Sequence, residues 1–309
     1  MHYALVFSTS KVKATNQTAS QWLEGFSDSF AFLNPQNDAL WLAPNMAAEI
    51  SCLAADDLFS GNILQNQAFR KLRQSADSAG IDVNLVPAKN RRKSILIADM
   101  DSTIITTESL DELAMLAGVG QQVKAITRLS MAGVLDFETA LDQRVAMLAG
   151  RSKGLIDQII ATSKLTDGAS ILVKTMRANG AFCYLVSGGF EFLTGPVASE
   201  CGFHGHHANY LDHDEKSISG TVRKPILDRQ AKVTYLKYYC QLHDVELGTT
   251  ASIGDGANDL GMLGHAGFGV AFHSRPILRR KVALQLNHTN LTGLLYLQGY
   301  KQEEFAFSD

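Results

Sequence analysis

The chain has 309 residues, 46% hydrophobic and 19% charged, with a formal net charge of -3 and a pI of about 6.3. That length exceeds one typical domain and fits two, or one with a large insertion, and the composition suits a soluble protein with a real core. The charge excludes a global basic field for nucleic acid or an anionic membrane, no run of ~18 apolar residues offers a membrane span, and the opening M-H-Y-A-L-V-F-S is too short, and lacks the basic leader, for a signal peptide.

Cys52, Cys183, Cys201 and Cys240 are scattered without a C-x-x-C pair. They fit reduced thiols in a cytoplasmic enzyme better than a disulfide framework or a zinc site. From the N-terminus, the pattern predicts strand 3–7, helix 19–26, strands 40–43 and 49–53, helix 65–79 and strand 83–86. This is the order of the split βαβ, or ferredoxin-like, α+β arrangement, placed at residues 1–90. It looks like the small ACT-like ligand-sensing domains of amino-acid enzymes, and equally like a dimerising module, which leaves a homodimer open. Residues 89–93, K-N-R-R-K, form a basic hinge to a second unit, 91–309.

Residues 94–102 read S-I-L-I-A-D-M-D-S. Four apolar residues, two of them β-branched, predict a strand covered on both faces. If the extended geometry persists, Asp99 and Asp101 leave it on the same side. Two close carboxylates persist only with a cation between them or with one protonated, and a divalent cation is the simplest solution. A plain strand end with an Asp-Ser turn would look the same, so the remaining chain must decide.

A helical insertion follows, about 108–165, with breaks at 118–120, 133 and 150–154. Within it Asp136 can cap a helix carrying Phe137, Leu141, Val145 and Leu148 on one face, with Arg144 on or beside that stripe. The αβ alternation then resumes: helix 169–179 closed by Gly180, strand 182–186, a helix to 201, a hairpin at 208–222, helix 228–243 and strands 251–253 and 268–272. This alternation predicts a doubly wound, Rossmann-like parallel sheet with active groups at the carboxyl ends of its strands.

Three further stretches carry chemistry. Ser187-Gly188-Gly189 lets main-chain N–H groups approach an anion. Gly254-Asp255-Gly256-Ala257-Asn258-Asp259 sets two carboxylates and an amide on a tight turn suited to an oxygen-ligated cation. Lys232, one helix earlier, balances charge if its ammonium reaches the same mouth. His204, His206 and His207 form H-G-H-H without an evident fourth ligand, and no metal role is expected there. No G-x-x-x-x-G-K-[ST] loop suggests a kinase or NTPase.

In that order, D-x-D-S-T, S-G-G, the lysine and G-D-G-x-N-D resemble the haloacid-dehalogenase-like phosphatases over roughly 94–297. T-x-E-S at 106–109, M-x-G-x-x-x-F at 131–137, Q-R-V at 143–145, S-G-G-F at 187–190 and K-P-I-L at 224–227 resemble most the phosphoserine phosphatase branch of that family. The resemblance implies a haloacid-dehalogenase core with a helical cap at about 107–165. It implies Asp99 as the nucleophile that becomes an aspartyl phosphate, and Asp101 as general acid and then base. Mg2+ would be held by Asp99, the Asp101 carbonyl and Asp255, with Asp259 acting indirectly.

On the same grounds Ser187, Gly188 and Lys232 would clamp the phosphoryl group, and Asn258 would contact substrate. Glu108 would meet the ammonium and Arg144 the carboxylate of phosphoserine, with Met131 and Phe137 excluding water. The implied reaction is hydrolysis of O-phospho-L-serine to serine and phosphate, the last step of serine biosynthesis. A related capped phosphatase or phosphotransferase, or an amino-acid-sensing regulator with a vestigial site, are the alternatives.

Overall fold

The computed structural model describes residues 1–11, 16–54, 63–131 and 134–307; the Met131 side chain lies outside this description, as does the expected break at Gly133. The first unit runs β1 (His2–Ser8), α1 (Ala19–Leu23), α2 (Ser27–Phe30), β2 (Leu40–Ala43), β3 (Ala47–Leu53), α3 (Gln67–Ser78) and β4 (Asp82–Pro87). Its antiparallel sheet has the order β2-β3-β1-β4, the ferredoxin-like arrangement expected from the element order. The helix expected over 19–26 ends at Leu23. Beyond it Gly25 is a poor helix former, and the Ser27 hydroxyl donates to the Glu24 carbonyl at 2.6 Å, favouring turns over a continuous helix.

The second unit begins with β5 (Ile95–Ala98) and continues through four cap helices, α4 (Ser109–Leu116), α5 (Gly120–Met131), α6 (Phe137–Ala146) and α7 (Gly154–Thr162). It returns through α8 (Ala169–Ala178), β6 (Phe182–Phe190), α9 (Glu191–Cys201), β7 (Gly205–Asn209), the hairpin β8 (Leu211–His213) and β9 (Ile218–Val222), and α10 (Arg229–Leu242). It closes with β10 (Thr250–Gly254), α11 (Leu260–His265), β11 (Phe268–Phe272), α12 (Pro276–Arg279), β12 (Leu284–Leu286) and α13 (Gly293–Leu297).

The core sheet has six parallel strands in the order β12-β11-β10-β5-β6-β7. Read from β7, the strands come third, second, first, fourth, fifth and sixth along this unit. The order therefore reverses between β5 and β10, and in such sheets ligands bind at the carboxyl end of that switch point. Leu96 and Ala98 pack into one apolar cluster and Ile95 and Ile97 into another, so the strand is covered on both faces as its composition predicts.

Three features depart from the expected elements. Residues 205–209, expected to precede or begin a hairpin, form the sixth core strand, and the hairpin starts at Leu211. A polar G-H-H-A-N segment can serve as a strand because it lies at the sheet edge. Strand β6 runs on through Ser187-Gly188-Gly189 to Phe190, with a register shift against β7 between Val186 and Phe190. Strand β12 was not foreseen, being only Leu-Gln-Leu.

The cap is tied to the core by two segments lying side by side. Ile105 pairs antiparallel with Leu165, Thr106 N–H donates to Lys164 O at 3.0 Å and Thr166 N–H to Ile104 O at 2.9 Å. Asp136 caps α6 as expected, its carboxylate accepting from Thr139 N–H at 2.9 Å. No helix among the described residues is long and apolar enough to cross a membrane.

Candidate active site

Register places the chemistry. Ala98 on β5 pairs with Ile253 on one side and Leu185 on the other, so the chain beyond Ala98 enters the switch point between Ser187 and Asp255. Asp99 is still extended, at φ -73° and ψ 158°, and its N–H donates to Ile253 O at 3.0 Å. A single wide turn, Met100–Ile104, then carries Asp101, closed by Ile105 N–H on Met100 O at 3.0 Å. Asp99 and Asp101 both line one cavity of about 960 Å³ between core and cap.

Lys232, on the first turns of α10, is 1% exposed and reaches this point. Its ammonium donates to Asp99 Oδ1, and to Asp259 Oδ1 at 2.6 Å. Burial opposes the Lys232 charge, but Asp259 and Asp99 more than offset it and raise its pKa. Burial and the charge of Asp259 push Asp99 well above the usual carboxylate range, against the pull of Lys232. Burial, then Asp259 and Glu108, push Asp255 up to about 7, with Lys232 and Arg275 working the other way. Asp101 is raised to about 7 by burial and Glu108, partly offset by the Ser109 N–H and then by the Ser109 hydroxyl.

Asp99, Asp255 and Asp259 each present a carboxylate oxygen within 4.8 Å of the others. Asp99 and Asp255, both raised by burial and then by the charge of Asp259, offer hard oxygens to a hard divalent cation, which relieves the same repulsion that a proton would. Asp259 tucks beneath the turn: its Oδ2 accepts from Gly256 N–H at 3.1 Å, and a Cβ on Gly254 would collide with its carboxylate. Its Oδ1 is taken by Lys232, so this carboxylate is built into the floor of the site rather than facing the cavity alone.

Ser187 Oγ accepts from Gly189 N–H at 2.9 Å, leaving its own proton to donate, and is 1% exposed. From the cap segment Glu108 and Arg144 line the same cavity, with Asp111 beside them. Glu108 is the N-cap residue of α4, and Ser102, at φ +54°, donates its hydroxyl to Glu108 Oε1 at 2.8 Å. Arg144 Nε is held by Ala140 O at 3.1 Å, which turns the remaining guanidinium edge toward other partners. Phe137 roofs Gly188, where a Cβ would lie 3.3 Å from the Phe137 ring. Asn258 lines the same cavity; what Met131 contributes falls on a side chain outside the described residues.

The cavity thus gathers Asp99, Asp101, Glu108, Arg144, Ser187, Gly188, Phe137, Asp255 and Asn258, with Lys232 and Asp259 beneath it. Several neighbours were not singled out from the sequence. A Cβ on Gly189 would lie 2.5 Å from Asp101 Oδ2, so only glycine lets that carboxylate settle there. Buried Asn209 joins two loops, donating to Gly188 O at 2.9 Å and Leu227 O at 3.3 Å and accepting from Leu227 N–H at 2.6 Å. Ser109 N–H donates to Asp101 Oδ1 at 3.0 Å. Only Gly189 and Ser109 carried a signal, through the S-G-G-F and T-x-E-S stretches.

The histidines of H-G-H-H point to separate partners. His204 Nδ1 accepts from Cys183 N–H at 3.1 Å, His206 Nδ1 pairs with Thr194 Oγ1 at 3.0 Å and His207 Nε2 with the Tyr239 hydroxyl at 2.6 Å.

Residues 96–264 match the family model for haloacid dehalogenase-like hydrolases. A phosphoserine phosphatase of Streptomyces coelicolor is 36% identical over 240 residues, covering 77% of this chain and 58% of that protein. The chain spans less than two thirds of the length of the first curated relatives it matches. Among solved structures, a haloacid dehalogenase family hydrolase from Salmonella enterica serovar Typhi superimposes with a TM-score of 0.83 at 26% identity, covering 98% of this chain and 99% of that one. A phosphoserine phosphatase solved as an analogue of its phospho-aspartyl intermediate gives 0.62 at 32% identity, covering 66% of this chain and 98% of that one. With the reversed strand order, the acidic switch point and the matched segment in agreement, the chain belongs to the haloacid dehalogenase-like hydrolase family.

Proposed function

We propose that this chain is a magnesium-dependent phosphoserine phosphatase, hydrolysing O-phospho-L-serine to L-serine and phosphate in the last step of serine biosynthesis. One observation carries the reading: the cavity that holds a carboxylate pair over a buried ammonium is also lined by an acidic and a basic side chain of the cap segment, Glu108 and Arg144. A small phosphate bearing both an ammonium and a carboxylate matches that arrangement. The division at about residue 90, with a cap at about 107–165, belongs to the same reading, as do the four buried thiols in favouring a reducing cytoplasm.

Asp99 attacks phosphorus and forms the aspartyl phosphate, turning one difficult displacement into two. Asp101 gives its proton to the departing serine oxygen, then takes one from the water that cleaves the intermediate. Ser187, the Gly188 N–H and Lys232 hold the equatorial oxygens, and their fixed placement makes the stabilisation large. Glu108 and Arg144 orient the amino acid, while Phe137 keeps bulk water from the intermediate. Asp99, the Asp101 main-chain carbonyl and Asp255, with Asp259 orienting the set, would hold Mg2+, which would supply charge neutralisation at the phosphoryl oxygens.

The test is phosphate release from a panel. Phosphoserine should exceed phosphoethanolamine, which lacks the carboxylate, by roughly 10²-fold in kcat/KM; equal rates would remove the role of Arg144. Calcium, which prefers more ligands and looser geometry, should replace magnesium poorly and inhibit.

A further inference from the structure

We propose that Ser109 is a further positioning residue of this hydrolysis, its main-chain N–H and buried hydroxyl together aiming the Asp101 carboxyl at the oxygen that departs from phosphorus. The inference deepens the phosphatase reading and rests on it.

Ser109 opens α4, immediately after the N-cap residue Glu108. N–H groups of a first helical turn have no partner within the helix, and this one is spent on Asp101 Oδ1 at 3.0 Å. The hydroxyl of the same residue is a second, independent feature. Ser109 is 1% exposed and lines the cavity, and its Oγ, which meets no partner at full hydrogen-bond geometry, lies close enough to the Asp101 carboxyl to pull its pKa down. A buried hydroxyl without a partner is costly, and alanine at this position would be a better helix former. A hydroxyl kept there is accounted for by the second oxygen of the Asp101 carboxyl.

The position of that partner follows from Gly189. The point its Cβ would occupy lies 2.5 Å from Asp101 Oδ2 and 3.2 Å from both Ser109 Oγ and Ser187 Oγ. Three oxygens from the core turn, the cap helix and the end of β6 therefore converge. With Oδ1 fixed by the Ser109 N–H, Oδ2 is the oxygen free to carry the proton. Ser187 flanks it on the phosphoryl side and Ser109 on the cap side, next to Glu108, where the amino-acid portion of the substrate lies.

As the bond from phosphorus to the serine oxygen breaks and the bond to Asp99 forms, the leaving oxygen takes the electron pair and the proton from Asp101 Oδ2. The Ser109 hydroxyl donates its hydrogen bond to the Asp101 carboxylate left behind and keeps its own proton.

Such a role shows in the dependence on leaving group. The full chain, Ser109→Ala and Ser109→Thr are compared with magnesium on phosphoserine, whose alkoxide needs a proton, and on acetyl phosphate, whose acetate leaves without one. Ser109→Ala should lose about 10- to 100-fold in kcat/KM on phosphoserine, a constant that reports the steps up to departure of the leaving group and leaves out the hydrolysis of the aspartyl phosphate common to both substrates, yet stay within about twofold in kcat/KM on acetyl phosphate; Ser109→Thr should recover most of the loss. An equal loss on both substrates, with or without a lowered Tm, or no loss on either, overturns the inference and leaves Ser109 structural. No phosphate release from phosphoserine by the unmodified chain overturns the underlying phosphatase reading instead.

Discussion

At the scale of single residues, the site is held together by charges that are unfavourable one at a time. Asp99 is 4% exposed and lies beside Lys232, which is shared with Asp259. Replacing Asp99 with Asn keeps the volume and removes the nucleophile we propose. Turnover should fall by at least about 10³-fold, while the Tm of the metal-free protein stays equal or rises, because a carboxyl whose pKa burial raises no longer has to ionise. A lowered Tm with residual turnover would mean that Asp99 is structural.

Asp255 gives the pH dependence. Its folded pKa, about 7, lies above the unfolded value near 3.9. Its contribution to stability is therefore full below about pH 4 and lost as pH rises through 7 in the metal-free chain. A cation must displace the proton held below 7, so its apparent affinity should fall about tenfold per pH unit there. At a fixed, non-saturating Mg2+ concentration, the gain in Tm should be larger at pH 8 than at pH 6; equal gains would remove Asp255 from the metal site. Asp99, Asp101, Ser187 and Asp255 were legible because each lies within three residues of a strand's carboxyl end. Asn209 was not, because its partners, Gly188 and Leu227, are 21 and 18 positions away.

At the scale of elements, the cap helix α6 is the piece whose placement matters most, since it carries both Phe137 and Arg144. Its apolar face was readable from Leu141, Val145 and the Asp136 cap. What holds its outer face was not. Lys224, on the loop after β9, reaches across to Glu138 and, at 2.9 Å, to Asp142, which are one turn apart on α6. All three side chains are about half exposed, so the pairs should contribute little to global stability. They act across the boundary between core and cap, where a small bias toward closure is read directly as substrate affinity.

Lys224→Ala should leave the Tm unchanged and raise KM for phosphoserine roughly two- to fivefold, an effect that 0.5 M salt reproduces in the unmodified protein and Lys224→Arg abolishes. An unchanged KM would mean that the pair is incidental. Strands β7 and β12 escaped detection for the opposite reason: edge position and a length of three leave no periodicity to find, and their pairing is decided by the sheet.

At the scale of the whole molecule, the N-terminal sheet is no appendage. A solitary ferredoxin-like sheet keeps one face polar, yet in β1 every residue from Tyr3 to Ser8 is buried. Tyr3, Leu5 and Phe7 pack under the unit's own helices, while Ala4 and Val6 join the large apolar cluster that also contains Leu294 and Leu295 of α13. That near-continuous apolar strand was the sequence signal of a second covered face.

Edge meets edge as well. Asn84 on β4 donates to Gln285 O and accepts from Gln285 N–H, both at 2.8 Å, like an inserted peptide group bonding to β12. Asp82, 3% exposed, accepts main-chain N–H groups from Asn287, His288 and Thr289 at 2.7–3.0 Å and the Thr289 hydroxyl at 2.8 Å. Asp82→Ala would strand three main-chain donors at a buried junction. A charged acceptor is worth about 1.5–3 kcal/mol per bond, and water entering the gap recovers part of that, so a loss of roughly 3 kcal/mol is expected, with Asp82→Asn intermediate. Urea unfolding should show it either as a lower midpoint or, if the two units then melt separately, as a second transition. Because Asp82 does not line the cavity, kcat on phosphoserine should persist wherever the variant is folded. A midpoint unchanged from the unmodified chain would show that the carboxylate is not what joins the two sheets.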